Sequence, residues 1–364
     1  MQTIHIQASD NLFFRDAKPF ELSEESWASS LFPNISPGTF LGAIRTAFGA
    51  QNNLDVTKIK DSTLTATIKS FGITVGNDLS DDIYPTFSMP CDLVGNGGKT
   101  KGLQIVDNTF SSNPFKKVLL NNQSEKTEDL DTFRMSLEDF QAYLNGTKVF
   151  SYDKNNSLYN LNDFCIIEPK IGIGRDKSRN VTKESALYRV GMNRMEGKKG
   201  KLHFFATLNN IVLEKDGILK LGGENKTALY QEGTLIDVDF PIFDETTFVF
   251  KLYLFTPAIF QNGSIPDFIN PQSYEGKING VEVELLTSAI GRFVSYGGFD
   301  LYNNSPKVLY KAVPSGSVYY FALKNKNQPQ KQIEQLIHFF NSEKNSISTE
   351  RKNEGFGIVY VANI

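Results

Sequence analysis

The chain has 364 residues, of which 40% are hydrophobic and 22% charged, and its formal net charge is −3. At roughly 100–200 residues per domain, this length predicts two or three domains, and the ordinary composition excludes a disordered, collagenous or coiled-coil chain. Cys91 and Cys165, the two cysteines, are too few for a disulfide scaffold or a cysteine-based zinc site. No run approaches the ~18–20 apolar residues of a membrane span. Residues 1–16 lack the basic head and apolar stretch of a signal peptide, so a cytoplasmic protein is expected. A slightly acidic chain does not coat nucleic acid indiscriminately, but a local basic groove is compatible with it.

In chain order, Thr3–Gln7 reads as a strand. Ser36-Pro37 then supplies a helix cap and a first-turn proline. Leu41, Ile44 and Phe48 form the apolar stripe of that helix, and Gly38, Gly42 and Arg45 share another face. Gly95–Asn113 and Asn121–Asp131 are polar and glycine- or asparagine-rich, which predicts mobile loops. Between them and the next strand, Leu137–Leu144 predicts a short helix capped by Ser136 with Asp139 three residues on. Leu202–Leu208 alternates as a strand. In the last third, Phe248, Phe250, Leu252 and Leu254 face one way, with Val249, Lys251, Tyr253 and Phe255 opposite. Val281, Val283 and Leu285 alternate with Glu282 and Glu284, and Val318–Leu323 and Ile358–Val361 are further strands. Pro329 opens a helix whose Ile333, Leu336, Ile337 and Phe340 fall at i, i+3, i+4, i+7. From about residue 245 the order is therefore β-α-β-β-α-β with its first crossover undecided between loop and helix, the pattern of a ferredoxin-like or RRM-like unit. The first half begins the same way and is broken by insertions, which places a boundary near Asp244.

Several motifs that could carry chemistry fall short. Gly97-Gly98-Lys99-Thr100 hints at a phosphate loop, but position 93 is Leu where a glycine is needed, and a strand-like segment follows where a helix is needed. Gly172-Ile173-Gly174 has two of the three dinucleotide-binding glycines and no helix after it. His5, His203 and His338 have no metal-ligand spacing and form no readable His/Asp or Cys/His arrangement. The carboxylate pairs Asp81-Asp82, Glu24-Glu25 and Glu138-Asp139 sit in polar runs. No catalytic constellation, metal site or cofactor is expected.

Charge placement is more informative. From Lys170 to Lys201 ten basic residues (Lys170, Arg175, Lys177, Arg179, Lys183, Arg189, Arg194, Lys198, Lys199 and Lys201) face three acidic ones, a local excess of +7. Bounded by strand-like segments, this reads as a long basic hairpin that can follow a phosphate backbone. Near the C-terminus, Gly355, Phe356, Gly357 and Val359 match the RRM signature, while Glu354 and Ile358 depart from it. An RRM shape without its full stacking platform must hold RNA by glycine backbone, helix N-terminus and basic arm.

Together these segments resemble one family. Residues 13–20, FFRDAKPF, resemble its "FRDGRPF" opening, and Leu31-Phe32-Pro33 through Ala47 resembles "FPPSPRT…GALRTA". Tyr84–Val94 is similar to "FPVPLDLV", and Ile171–Val190 to "VGIG…GALYRVE". Leu221–Glu224 and Leu254–Phe260 are similar to "LGGEGR" and "LLTPALF". Gly297–Asp300, Val313–Tyr319 and Gly355–Gly357 resemble "GGWD", "VPAGSVY" and "GFG". The family is the Cas-five-like RAMP subunit of the Cmr complex, the type III-B CRISPR effector, in which it is the third subunit. Departures are Ala17 for glycine, Phe299 for tryptophan, and Asn225-Lys226 where the family has glycine then arginine.

The resemblance implies an α+β chain of two tandem ferredoxin-like domains, residues 1–243 and 244–364, with insertions and a basic thumb hairpin at about 170–200. It implies a non-catalytic subunit at the foot of the effector. Such a subunit grips the repeat-derived 5′ handle of the crRNA, docks the large cyclase-like palm-domain subunit, and touches the backbone RAMP subunits. Target RNA is met only indirectly, and no membrane is involved. The RNA-binding residues expected on this basis are Arg15, Lys18, Ser36, Gly38, Thr39, Arg45, Gly172, Gly174, Arg175, Lys177, Arg179, Arg189, Gly222, Gly223, Gly355, Phe356 and Gly357. The competing expectation is a RAMP endoribonuclease that trims precursor crRNA, with His5 or His203 as general acid/base.

Overall fold

A computed structural model describes residues 1–15, 27–28, 30–79, 82–109, 111–112, 114–122, 126–152, 158–175, 178, 181–300, 302–342 and 345–364. For 27–28, 173–175 and 182–188 it describes the backbone alone. The fold is mixed α/β, mostly strands, organised around two principal sheets.

The first sheet has nine strands. At its centre Thr227–Gly233, Gln2–Ala8, Gly200–Asn209 and Thr67–Gly76 lie side by side, each antiparallel to its neighbour. Ile4 and Ile6 alternate with Thr3, His5 and Gln7, so one face of the sheet is apolar and receives the helix Pro37–Gln51. That helix buries Phe40, Leu41, Ile44 and Ala47, with the Phe40 ring 4.6 Å from Phe71 and 5.0 Å from Phe204. Proline in its first turn sets the entry, as expected. Ser36 is the N-cap residue, but its hydroxyl makes no capping bond; its carbonyl accepts from Thr39 N–H at 3.0 Å instead.

The second sheet orders Glu275–Ile278, Val281–Ala289, Val318–Leu323, Val249–Leu254 and Val359–Ala362. Helix Pro329–Asn341 covers it, burying Ile333, Leu336, Ile337 and Phe340 against Phe250, Leu252, Leu254 and Phe321. Numbered along the chain, the four core strands of each sheet have the same spatial order, 4-1-3-2. The crossovers are complementary. The first sheet has a helix between core strands one and two, and the edge strand Asp216–Lys220 between three and four. The second has no helix among its described residues between one and two, and Pro329–Asn341 between three and four.

The sheets meet through a third apolar cluster. Phe205 from the first sheet and Tyr253, Phe255 and Tyr320 from the second close around helix Leu137–Leu144, whose Phe140 stacks on Phe87 at 4.0 Å. This helix begins as expected: the Ser136 hydroxyl accepts from Asp139 N–H at 3.1 Å.

Two expectations change. Gly95–Asn113 is largely ordered, with Leu93–Asn96 paired to Lys99–Gly102, and Gln104–Asp107 paired to Lys117–Leu120. Gly97 and Gly98 turn the first of these hairpins at φ of 58° and 79°, where glycine carries no steric cost. A further helix, Val56–Ser62, was not expected; the Asp55 carboxylate caps it by accepting from Lys58 N–H at 2.9 Å.

Candidate nucleic-acid interface

Ile166–Arg175 and Thr182–Arg194 form a long antiparallel hairpin, in register from Ile166 opposite Arg194 to Ile173 opposite Leu187. Gly172 and Gly174 lie within its first strand, not at a phosphate-cradling turn. Most of the described cations at its base are neutralised. Arg194 pairs with Glu168 at 2.8 Å, Lys199 with Asp163 at 2.8 Å, Lys201 with Asp78 at 2.5 Å, and Lys170 with Glu224. Arg189, opposite Ile171, is exposed. Lys177 and Arg179 lie outside the described residues, and Arg175 is described by its backbone only. The hairpin is rooted on the N-terminal segment: Leu12 and Asn193 exchange backbone hydrogen bonds of 2.8 Å, and Phe13 packs with Val190 and Met192.

Past Phe13 a cleft of about 650 Å³ opens between the two halves of the chain. One wall is Phe13, Phe14 and Arg15, the helix start at Ser36 and Thr39, and Gly222-Gly223. Gly223 N–H donates to Phe13 O at 2.8 Å, and a side chain on Gly222 would strike that same carbonyl, so glycine here serves close chain packing. The other wall comes from the second half: Tyr296 to Phe299 and Pro306 to Leu309, an arm that includes the two-residue ladder of Phe299–Asp300 with Ser305–Pro306. Several polar contacts hold that arm. Arg351 donates to Gly297 O and Val308 O at 2.8 Å each, Lys60 lies 3.7 Å from the Tyr302 ring centre, and Lys307 pairs with Glu354 at 2.9 Å.

The cleft thus unites Arg15, Ser36, Thr39, Gly222 and Gly223, which stand far apart in the sequence. Lys18 lies outside the described residues. Gly38 is not open to a ligand: the Glu354 carboxylate lies against it and already supplies a negative charge at the helix start. Arg45 is half-buried on the same helix; burial lowers its guanidinium pKa, and the Glu354 charge partly offsets this. The Gly355–Gly357 turn differs most from expectation. Phe356 is 0% exposed and packs edge-on against Tyr296 at 5.3 Å, so it presents no face to a base. Gly355 and Gly357 adopt φ of 94° and 75° and are crowded by Ile68 and Ser348, so their small size serves the chain itself. Phe299, Lys307 and Leu309 were not anticipated as cleft residues. The signal available for them was an exposed apolar pair in a glycine- and asparagine-rich stretch.

His5 and His203 lie under cover on the sheet face away from the helix, 6% and 0% exposed. Burial lowers both pKa values, that of His203 to about 4, with Lys201 adding to the effect and Asp78 opposing it. Among the described residues no group of three or more His, Cys, Asp or Glu is placed to hold a metal ion. None of the described helices is long and apolar enough to cross a membrane.

Comparison with known proteins agrees with the layout. Two solved structures are similar in fold across 94% of this chain and 89% of theirs, each with a TM-score of 0.51. One, at 17% identity, is from the type III-B Cmr-beta complex bound to cognate target RNA and AMPPnP; the other, at 18%, is from that complex bound to cognate target RNA. Comparison with curated proteins gives no match. The family model of the CRISPR-associated protein Cas_Cmr3 matches residues 4–362, nearly the whole chain, and the chain therefore belongs to the Cas_Cmr3 family.

Proposed function

We propose that this chain is a non-catalytic, cytoplasmic subunit of a type III-B RNA-guided effector. In this reading it holds the repeat-derived 5′ handle of the crRNA in the inter-sheet cleft and docks the large palm-domain subunit and the backbone RAMP subunits. The chain divides into two ferredoxin-like domains, residues 1–243 and 244–364. The 4-1-3-2 order common to both sheets supports that division, each domain having lost one of the two crossover helices.

The observation that carries the reading is the cleft. It brings Arg15, Ser36, Thr39, Gly222 and Gly223 opposite Gly297–Phe299 and Lys307, with the basic hairpin rooted beside it through Phe13. Cations position phosphates, and a constant single-stranded handle can be read by contacts to splayed bases without catalysis. The burial of His5 and His203 speaks against the endoribonuclease reading, because a general acid/base must reach the proton it transfers.

The test is affinity purification of the tagged full chain from its native cell, with mass spectrometry of the proteins and sequencing of the RNA. The expected result is stoichiometric effector subunits with short RNAs that share one repeat-derived 5′ end. A lone protein without RNA, from cells expressing a CRISPR locus, overturns the proposal.

A further inference from the structure

Of the four aromatic rings among the described residues that line the cleft, three are already in use. Phe13, Phe14 and Tyr296 are 7%, 4% and 1% exposed. Phe299 is 51% exposed. Tyr302, on the same arm, is also accessible, but the Lys60 ammonium sits over its ring at 3.7 Å. The aromatic of the RRM-like signature, Phe356, is buried. Among the described residues, Phe299 is therefore the one aromatic of the cleft lining with an open face.

Its setting suits a nucleotide. Gly222 and Gly223 line the same cleft and are packed tightly against Phe13, so the open volume lies on the Phe299 side of that contact. Gly298, beside Phe299, has φ of 132°, a conformation that favours glycine, and its carbonyl accepts from Lys307 N–H at 3.0 Å. That bond holds Lys307 next to the Phe299 segment, where its ammonium pairs with Glu354 at 2.9 Å and a phosphate would compete for it, and Arg15 lines the same cleft. An aromatic flanked by cations, in a cleft within the ~300–1,000 Å³ range of ligand sites, is the arrangement that takes a base on the ring and a phosphate on the cations.

We infer that Phe299 is the stacking platform for one unpaired base of the bound RNA, with Lys307 and Arg15 directed to the adjoining phosphates. The inference rests on the handle-binding reading and adds to it a position and a recognition mode. Stacking tolerates any base, so Phe299 contributes affinity and register, and sequence discrimination falls to other contacts.

The experiment measures binding of a fluorescent single-stranded RNA that carries the handle of the organism's own CRISPR repeat, using the full chain and the assembled complex. The proteins are wild type, Phe299→Ala, Phe299→Leu, Phe299→Trp and Arg15→Ala. A second probe series places 2-aminopurine at each handle position in turn. Phe299→Ala and Phe299→Leu are expected to weaken binding about five- to 150-fold, and Phe299→Trp to keep it. One 2-aminopurine position is expected to be quenched by wild type and restored in Phe299→Ala. If Phe299→Leu binds as wild type, the ring acts only as apolar bulk and the inference fails. If Phe299→Ala binds as wild type while Arg15→Ala weakens binding, the handle site stands and the stacking role is overturned. If wild type does not bind the handle in either form, the handle-binding reading fails and the inference with it.

Discussion

Lys251 places its ammonium 3.3 Å from the Asp92 carboxylate, and both side chains are buried, at 0% and 3% exposure. Asp92 sits in the turn that precedes the Leu93–Asn96 strand of the first half, and Lys251 on Val249–Leu254, an interior strand of the second sheet. The carboxylate also accepts from the hydroxyls of Tyr143 at 2.9 Å and Tyr320 at 2.6 Å, and the ammonium lies 4.0 Å from the centre of the Tyr143 ring. Burial lowers the Lys251 pKa, and Asp92 works against that shift. A charge pair satisfied on this many sides is a polar fastener inside the otherwise aromatic seam between the sheets.

Breaking this fastener on one side is expected to be costly. Asp92→Ala leaves a buried ammonium and two hydroxyls without their acceptor, and should lower unfolding stability by about 3–5 kcal/mol. The double substitution Asp92→Leu with Lys251→Met removes both charges and should recover much of that loss. Urea denaturation of the single and double variants measures the coupling. If Asp92→Ala unfolds at the wild-type midpoint, the pair does not fasten the seam.

The covered histidines predict acid sensitivity. His203 titrates near 4 in the folded protein and near 6.5 when unfolded, so the unfolded chain binds the extra proton first. The stabilisation is fully present above about pH 6.5, falls as pH drops toward 4, and amounts to about 3 kcal/mol for this residue. His5, shifted in the same direction, adds to the slope. His203→Leu should flatten stability between about pH 4 and 6.5. An equally steep profile in that variant would place the proton uptake elsewhere.

What the sequence disclosed follows from the range of the forces involved. The strands around Ile4, Val283 and Phe250 and the helices after Pro37 and Pro329 were legible because alternation and helical spacing are local consequences of one buried face. The hairpin pairing of Leu93–Gly102 was not, because its four-residue strands LVGN and KTKG carry too little periodicity, and the strand-like segment after Thr100 did not disclose its partner at Lys117–Leu120. Phe356 matched a motif, but which way its ring turns is decided by Tyr296, sixty positions earlier. The Asp92–Lys251 pair spans 159 positions and could not be inferred from either neighbourhood. The cleft was legible in pieces, as Arg15, Thr39 and Gly222-Gly223, but its second wall emerges only from tertiary docking.

For the basic hairpin, the cations toward its base have described side chains, whereas the side chains of Arg175, Lys177 and Arg179 lie outside those described. Arg194 and Lys199 at the base have carboxylate partners at 2.8 Å, so their replacement by Ala should leave handle affinity near that of wild type. Replacing Arg175, Lys177 and Arg179 together with Ala should weaken binding and reduce the log–log salt slope by about 2, at ~0.7 per phosphate contact for a single strand. Titrations of handle RNA at several salt concentrations decide this. An unchanged slope in the triple variant removes these residues from the RNA path.

Glu354 predicts an increase in affinity on mutation. Its carboxylate lies against Gly38 at the start of the Pro37–Gln51 helix and pairs with Lys307 at 2.9 Å, so it occupies the electropositive end of the helix and one cation of the cleft together. Its second carboxylate oxygen, Oε2, is buried without a hydrogen-bond partner, which makes the arrangement an imperfect one. A phosphate arriving at Lys307 must compete with that charge. Glu354→Gln keeps the shape, frees Lys307, and should tighten handle RNA by a few-fold at low salt, with the gain shrinking as salt screens the cleft. Glu354 also acts on the half-buried Arg45, so thermal unfolding is measured alongside. A folded Glu354→Gln protein that binds RNA more weakly than wild type would show that Glu354 shapes the RNA site instead of competing for it.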